Sequence, residues 1–183
     1  MTQPGRLFVL SGPGGVGKST VVEELRKNDS FYFSISATTR PARDGERDGY
    51  AYHFVSQDEF QKMIDENEFL EWAEFAGNRY GTPKTPVLNA LGEGRNVLLE
   101  IEIQGARQVK KAMPNAVMVF LQPPSMSDLE ARIKGRGTDT PERIAARLAL
   151  ARSEMAASVE FDHILTNHRV EDVVASLVSL AAL

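Results

Sequence analysis

A glycine-rich run closed by lysine and serine is the first part of this sequence that could do chemistry. Gly12-Pro13-Gly14-Gly15-Val16-Gly17-Lys18-Ser19 follows the pattern G-x-x-x-x-G-K-[ST]. Glycines let backbone N–H groups turn toward one centre with no side chain in the way, and a helix beginning there adds the positive end of its dipole. A chain of phosphates is the anion that suits such a cradle. Lys18 would reach the β- and γ-phosphates, and the Ser19 hydroxyl would ligate Mg²⁺. The bland alternative is a glycine-rich strand-to-helix turn with no ligand. The motif implies nucleoside triphosphate binding without fixing the reaction, because motors, switches and kinases share it. There is no N-K-x-D element for reading guanine as switch GTPases do, and 183 residues leave little room for an effector domain. Phosphoryl transfer to a small molecule is the more natural reading.

Such transfer is mainly positioning plus electrostatic stabilisation, so several cations should surround one Mg²⁺-nucleotide. Arg40 and Arg43 lie in a turn-rich segment, Arg132 and Arg136 flank a glycine break, and Arg143 and Arg147 share a helical face at i, i+4. Each alone reads as a solvated surface charge. Glycines on both sides of Arg136 suggest a hinge.

The elements that must hold these residues alternate. Arg6–Ser11 reads as a buried strand, Lys18–Lys27 as a helix stopped by Asn28 and Asp29, and Phe31–Ser36 as a second strand. The charged segment 37–49, with Pro41, Gly45 and Gly49, is predicted to be a mobile surface loop. Ser56-x-x-Glu59 is a capping box opening a helix to about Asn67. Phe69–Phe75 looks extended, with a tight turn at Gly77-Asn78, and Pro83 suits the first residue of a helix closing near Gly92. Asn96–Ile103 starts as a strand buried on both faces, followed by a helix over Gln104–Ala112 and a central strand over Val117–Leu121. Ser127-x-x-Glu130 opens a helix that breaks at Gly135-Arg136-Gly137. Thr140 as N-cap and Pro141 launch a longer one to about Val159. His163–Asn167 is a last strand and Val170 onward a last helix, whose Val170, Val173, Val174, Leu177 and Leu180 face packs on the core. Alternating strands and helices predict an α/β fold with a mostly parallel sheet covered on both faces. The stretch from about Ser36 to Gly92 breaks the alternation and reads as an inserted sub-domain.

Composition narrows the rest. Apolar residues at 42% and charged residues at 25% exclude collagen-like, disordered and membrane-spanning chains. The net charge of −4 argues against a nucleic-acid coat. With no cysteine, thiolate metal sites and cysteine nucleophiles are excluded, and the three histidines show no metal-ligand spacing. The first residues leave no room for a signal peptide, so a cytoplasmic chain with no membrane or nucleic-acid partner is expected.

Taken in order, these motifs resemble guanylate kinase, a P-loop nucleoside monophosphate kinase, over essentially the whole chain. The resemblance rests on residues 11–20, Ser-x-Thr-Thr-Arg-x-x-Arg (36–43), Gly45-Glu46 with Tyr52 and Phe54, Phe-Leu-Glu-Trp-Ala (69–73), Tyr-Gly-Thr (80–82), Glu-Ile-Glu-Ile-Gln-Gly (100–105) and Gly-Arg-Gly-Thr-Asp-Thr (135–140). It implies a five-stranded parallel core (1–36, 92–125, 158–183), a GMP-binding sub-domain at about 37–91 and a helical lid at about 126–157. The implied reaction moves the γ-phosphoryl group of ATP to GMP and dGMP. ATP would lie on Gly12 to Thr20, with Asn167 near its adenine. Arg40, Arg43, Tyr52 and Tyr80 would hold the GMP phosphate. Ser36, Glu71 and Thr82 would read the base, because guanine offers N1–H and N2–H₂ donors side by side to one carboxylate and adenine does not. Lys18, Arg136 and Arg147 would cover the transferring group, with Arg40 on the acceptor phosphate. Ser19, Glu100 and Glu102 would complete the Mg²⁺ shell, or Glu102 would contact GMP. The implied partners are ATP and GMP, with the chain a monomer or weak homo-oligomer.

The sequence departs from the family pattern in places. Glu102 stands where the family usually has aspartate, Ala51 replaces a common acidic residue before Tyr52, Thr82 replaces a frequent serine, and no acidic residue follows Asn167. Two other readings are a phosphopeptide-binding guanylate-kinase-like scaffold domain and a kinase with another acceptor. The first is disfavoured because Lys18, Ser19, Arg136 and Arg147 are all present.

Overall fold

In the computed structural model, which describes residues 4–183, five short strands line up in parallel in the order β2-β7-β1-β8-β9. These are β1 (Leu7–Ser11), β2 (Tyr32–Phe33), β7 (Val97–Glu100), β8 (Val117–Gln122) and β9 (His163–Thr166). The reading of residues 1–3 lies outside the described residues. Strand β1 is buried throughout, and its side chains alternate between two cores. Phe8 and Leu10 pack with Val21, Val22 and Leu25 of α1 (Lys18–Leu25) and with Val173 and Leu177 of α7 (Val170–Ala181). Leu7 and Val9 face α3 (Lys84–Gly92) and α4 (Ile103–Ala112) through Val87, Ala90, Ala106 and Val109. Each fully buried aliphatic or aromatic side chain contributes about 1.5–3 kcal/mol, so a central strand with apolar residues on both faces is the natural spine. The predicted core face of the last helix lies in the first of these cores, with Val170, Val174 and Leu180 partly buried around Val173 and Leu177.

A second sheet, ordered β4-β3-β6-β5, holds β3 (Ala37–Thr38), β4 (His53–Phe54), β5 (Phe69–Phe75) and β6 (Asn78–Pro83). Helix α2 (Gln57–Asp65) covers it, with Phe60 stacked on Phe69 at 4.5 Å between centroids. The Ser56/Glu59 capping box is formed in both directions. The inserted sheet is tied to α4 by one side chain: Gln108 on α4 accepts from the Trp72 N–H (3.1 Å) and donates to the Trp72 carbonyl (2.7 Å). Beyond β8, α5 (Met126–Gly135) and α6 (Pro141–Ala156) pack through Leu129, Ile133, Leu148 and Ala151. A 3₁₀ turn (Ala157–Glu160) returns the chain to β9. Among the described residues, no helix is long and apolar enough to cross a membrane.

Several boundaries move for identifiable reasons. The predicted strand 31–36 divides: only Tyr32–Phe33 pairs with β7, and Ala37–Thr38 joins the other sheet. Residues 37–49 are therefore not a loop throughout. The turn before β6 falls on Ala76-Gly77 (φ 51° and 78°), one residue earlier than expected, as a two-residue hairpin with both centres left-handed requires. Pro83 ends β6 and stands at the N-cap of α3 instead of inside it. Ser125, not Ser127, caps α5 by accepting from the Asp128 N–H. The strand predicted from 96 stops at Glu100, the first helix ends at Leu25, and the helix from Thr140 ends at Ala156 before the 3₁₀ turn.

Candidate active site

Strand β1 releases the chain at Ser11 into the phosphate cradle. Gly12 passes so close to the next strand that a Cβ there would lie 2.2 Å from the Leu121 carbonyl oxygen. Gly17 is left-handed (φ 102°) at the N-cap of α1, and a side chain on it would strike the Asn167 amide. Val16 is clamped from behind: its carbonyl accepts from Asn167 Nδ2 (2.9 Å) and from Arg132 Nη1 (2.9 Å), and Arg132 also reaches the Asn167 carbonyl (3.2 Å). Asn167 is buried, with its amide donated to the loop. Arg132, a candidate cation from sequence, ties α5 to the glycine-rich loop.

Lys18 is buried and donates to the Gly12 carbonyl and to the Pro13 carbonyl (3.4 Å), so its ammonium is folded over the loop interior. The Ser19 hydroxyl lies 3.1 Å from Glu100 Oε1 at the end of β7. Glu100 opens on the cleft, yet the surrounding protein withholds enough water to raise its carboxyl above its usual value, against the opposing Ser19 hydrogen bond and the Lys18 charge. Glu102 is exposed at the N-cap position of α4 without capping it, near enough to add to the rise at Glu100.

The inserted sheet carries the second cluster. A cleft of about 130 Å³ is walled by Ser36, Tyr52, Thr82 and Glu100, together with Arg26 and Ser34. Glu71 on β5 is only 7% exposed and accepts from the Thr82 hydroxyl on β6 at 2.7 Å. Burial pushes its carboxyl up, and the Thr82 bond partly offsets this. Gly105 on α4 makes the socket possible: a Cβ there would lie 2.5 Å from Glu71 Oε2. Nearby, Arg40 forms a two-pronged pair with Glu46 (2.9 and 3.0 Å), and its guanidinium lies 5.4 Å from the Tyr52 ring centre. Glu46 also accepts from the Arg43 N–H (2.8 Å), and the Arg40 guanidinium ahead of that bond holds its carboxyl down at about 2. Tyr52 and Tyr80 stand edge to face at 6.0 Å. Burial raises the Tyr52 phenol, which keeps it an O–H donor. The Arg43 side chain is exposed beside them.

Arg136 and Arg147, expected on the transferring group, are not drawn into either cluster: Arg147 pairs with Asp139, and Arg136 is exposed at the C-cap of α5. Sequence reasoning assigned no role to Glu46, Gly105, Asp139 or Glu154. Gly105 carried a signal, an isolated glycine inside a helical pattern. Glu46 and Asp139 stood inside motifs that carry the family resemblance, while Glu154 carried no signal, and the partners of all three come from the folded structure. A larger recess of about 280 Å³ by Arg107, Lys110 and Glu160 lies away from these residues. Within it Arg107 pairs with Glu160 and Lys110 with Asp162.

A family model described as guanylate kinase matches residues 4–182. The guanylate kinase of Thermobifida fusca is 57% identical over 98% of this chain and 92% of its own length. That of Trichodesmium erythraeum is 48% identical over 96% and 95%. A crystal structure of guanylate kinase from Anaplasma phagocytophilum superposes with a TM-score of 0.80 at 31% identity, covering 98% of this chain and 86% of that one. The match runs through the glycine-rich loop, the inserted sheet and helices α5 and α6 alike, and the chain belongs to the guanylate kinase family.

Proposed function

We propose that this chain transfers the γ-phosphoryl group of ATP to GMP, giving ADP and GDP. The observation that carries the acceptor assignment is Glu71, a buried carboxylate beside Thr82 in a socket cleared by Gly105. A carboxylate there needs donors, and guanine supplies two in parallel, N1–H and N2–H₂. Adenine would leave it unpaired, the kind of mismatch that rejects a substrate by ~10⁴ or more.

The acceptor phosphate is held by Arg40, Arg43, Tyr52 and Tyr80, with Glu46 keeping the Arg40 fork in place. One of its oxygens is already an anionic nucleophile and needs no general base. It bonds to the γ-phosphorus as the bond to the ADP oxygen breaks, and the charge passes to ADP. Backbone N–H groups of residues 12–20 and the Lys18 ammonium take up the negative charge on the donor. Asn167 fixes the loop floor by which the donor lies. The lid, about 126–157, brings Arg136 and Arg147 onto the transferring group and excludes water, while the sub-domain of about 37–91 carries GMP toward the core at 1–36, 92–125 and 158–183.

The residues fit Mg²⁺ arriving with the nucleotide. Ser19 Oγ and Glu100 are adjacent oxygen donors, and no group of three or more acidic or histidine side chains suited to a metal occurs among the described residues. Mg²⁺ characteristically takes few protein ligands and completes its shell with phosphates and water. When bound it neutralises the phosphate charge, with Ser19, Glu100 and Glu102 the residues to hold it directly or through water.

A coupled ADP-release assay with ATP and Mg²⁺ tests this reading, offering GMP, AMP, UMP and TMP in turn. Turnover is expected with GMP alone; equal turnover with another acceptor would overturn the guanine assignment.

A further inference from the structure

One donor of the phosphate cradle already has a partner. The Gly14 N–H points to Glu154 Oε2 at 3.3 Å, 140 residues away in sequence. Gly14 is exposed at the mouth of the loop, and Glu154 is half-buried over it. The carboxylate is held there by its neighbours on α6. Ala151 is buried in the lid core, and Met155 packs on the Ile103, Phe120 and Ala157 cluster under the main sheet. Burial chiefly, and then the charge of Glu102, raise the Glu154 carboxyl, while the Gly14 N–H and Lys18 oppose the rise. Glu154 therefore sits in the field of the same lysine that serves the nucleotide. It also lies two helical turns from Arg147, at i+7 on one face of α6.

We propose that Glu154 sets the affinity of the donor site by competing with the nucleotide's phosphates for the Gly14 N–H. This rests on the reading of residues 12–19 as the donor site. A carboxylate is a fair mimic of one phosphate face. It satisfies a single N–H, so a polyphosphate chain that engages the whole cradle displaces it. Once displaced it remains a nearby negative charge, repelling the ligand across a few ångströms of partly dehydrated space. The anion on α6 thus weakens nucleotide binding at the root of the lid while the cation two turns away strengthens the transition state. Product ADP is released faster as a result.

The test is calorimetric titration of ADP, in EDTA to remove divalent cations, into the full-length protein and its Glu154→Gln variant. About tenfold tighter ADP binding in the variant is expected. Unchanged or weaker binding in a variant of normal thermal stability would overturn the proposal and leave Glu154 a structural tie between lid and loop. An ¹⁵N-labelled wild-type sample gives a second readout, which decides the matter should the variant fold poorly. The Gly14 amide should lie downfield before ADP is added and move on saturation. A Gly14 resonance insensitive to ADP contradicts displacement. Failure of the wild-type protein to bind ADP at all would instead remove the donor-site reading, and the present inference with it.

Discussion

Glu71 is the residue on which specificity and stability pull in opposite directions. Burial raises its carboxyl, so the fold disfavours the charged form. A carboxyl raised on folding makes the folded state more stable below that raised value, and stability falls as pH climbs from the unfolded value through it. At neutral pH the site carries this penalty, which guanine's donors would relieve. Glu71→Gln keeps an acceptor for the Thr82 hydroxyl and removes the charge. It should raise the Tm by roughly 2–4 °C, the shift that about 1 kcal/mol produces in a chain this size, while lowering kcat/KM for GMP. A lower Tm, measured by calorimetry, would contradict the penalty. Glu46 has the opposite sign. Its carboxyl is held at about 2 by Arg40 and the Arg43 N–H, so its contribution is present above the unfolded value and is lost as pH falls toward 2. Glu46→Gln should raise KM for GMP about tenfold with a smaller change in kcat, because Arg40 loses its orienting partner. Steady-state kinetics at fixed ATP checks this.

Helices α4 and α6 show how elements deliver residues. Helix α4 brings Gly105 to the Glu71 carboxylate and Gln108 to the Trp72 backbone, three residues apart on one face. Gly105→Ala should therefore weaken GMP binding by ten- to a hundredfold, despite alanine's better helix propensity, since the carboxylate must leave its socket. Direct GMP titration is the check. Helix α6 carries Arg147, bound to Asp139 in the preceding loop. If Arg147 joins the phosphoryl group on closure, Arg147→Ala should lower kcat by 10²–10³ with little change in Tm, and Asp139→Asn by less. The caps of α5 and α6 both follow local chemistry, yet only Thr140 was legible. Ser125 and Ser127 each stand three residues before an acid (Asp128 and Glu130), and the sequence alone does not choose between them. The cradle was legible because its chemistry is contained in consecutive residues. The two sheets were less so, because Ser34 to Ser36 form a short crossing between them that reads locally as one continuous strand.

At the scale of the whole molecule, a parallel sheet with β1 at its centre presents the glycine-rich loop, and an inserted mixed sheet lines the cleft that Glu100 closes. Strand alternation announced the first. Of the second, one hairpin strand and its turn were visible, but its pairing partners, Ala37 with Gly81 and with His53, are long-range choices that no periodicity encodes. The Glu154–Gly14 contact is the clearest case of a pairing hidden from sequence, because only the packing of α6 brings the two together. What unites the levels is the claim that one buried carboxylate reads both guanine donors. The measurement that tests it most directly compares kcat/KM for GMP and for IMP, which keeps N1–H and lacks the 2-amino group, in the unaltered protein and in Glu71→Gln. Loss of one charge-assisted hydrogen bond, about 1.5–3 kcal/mol, predicts a ten- to hundredfold preference for GMP that shrinks severalfold in the variant. Equal use of GMP and IMP, or a preference untouched by Glu71→Gln, would contradict it.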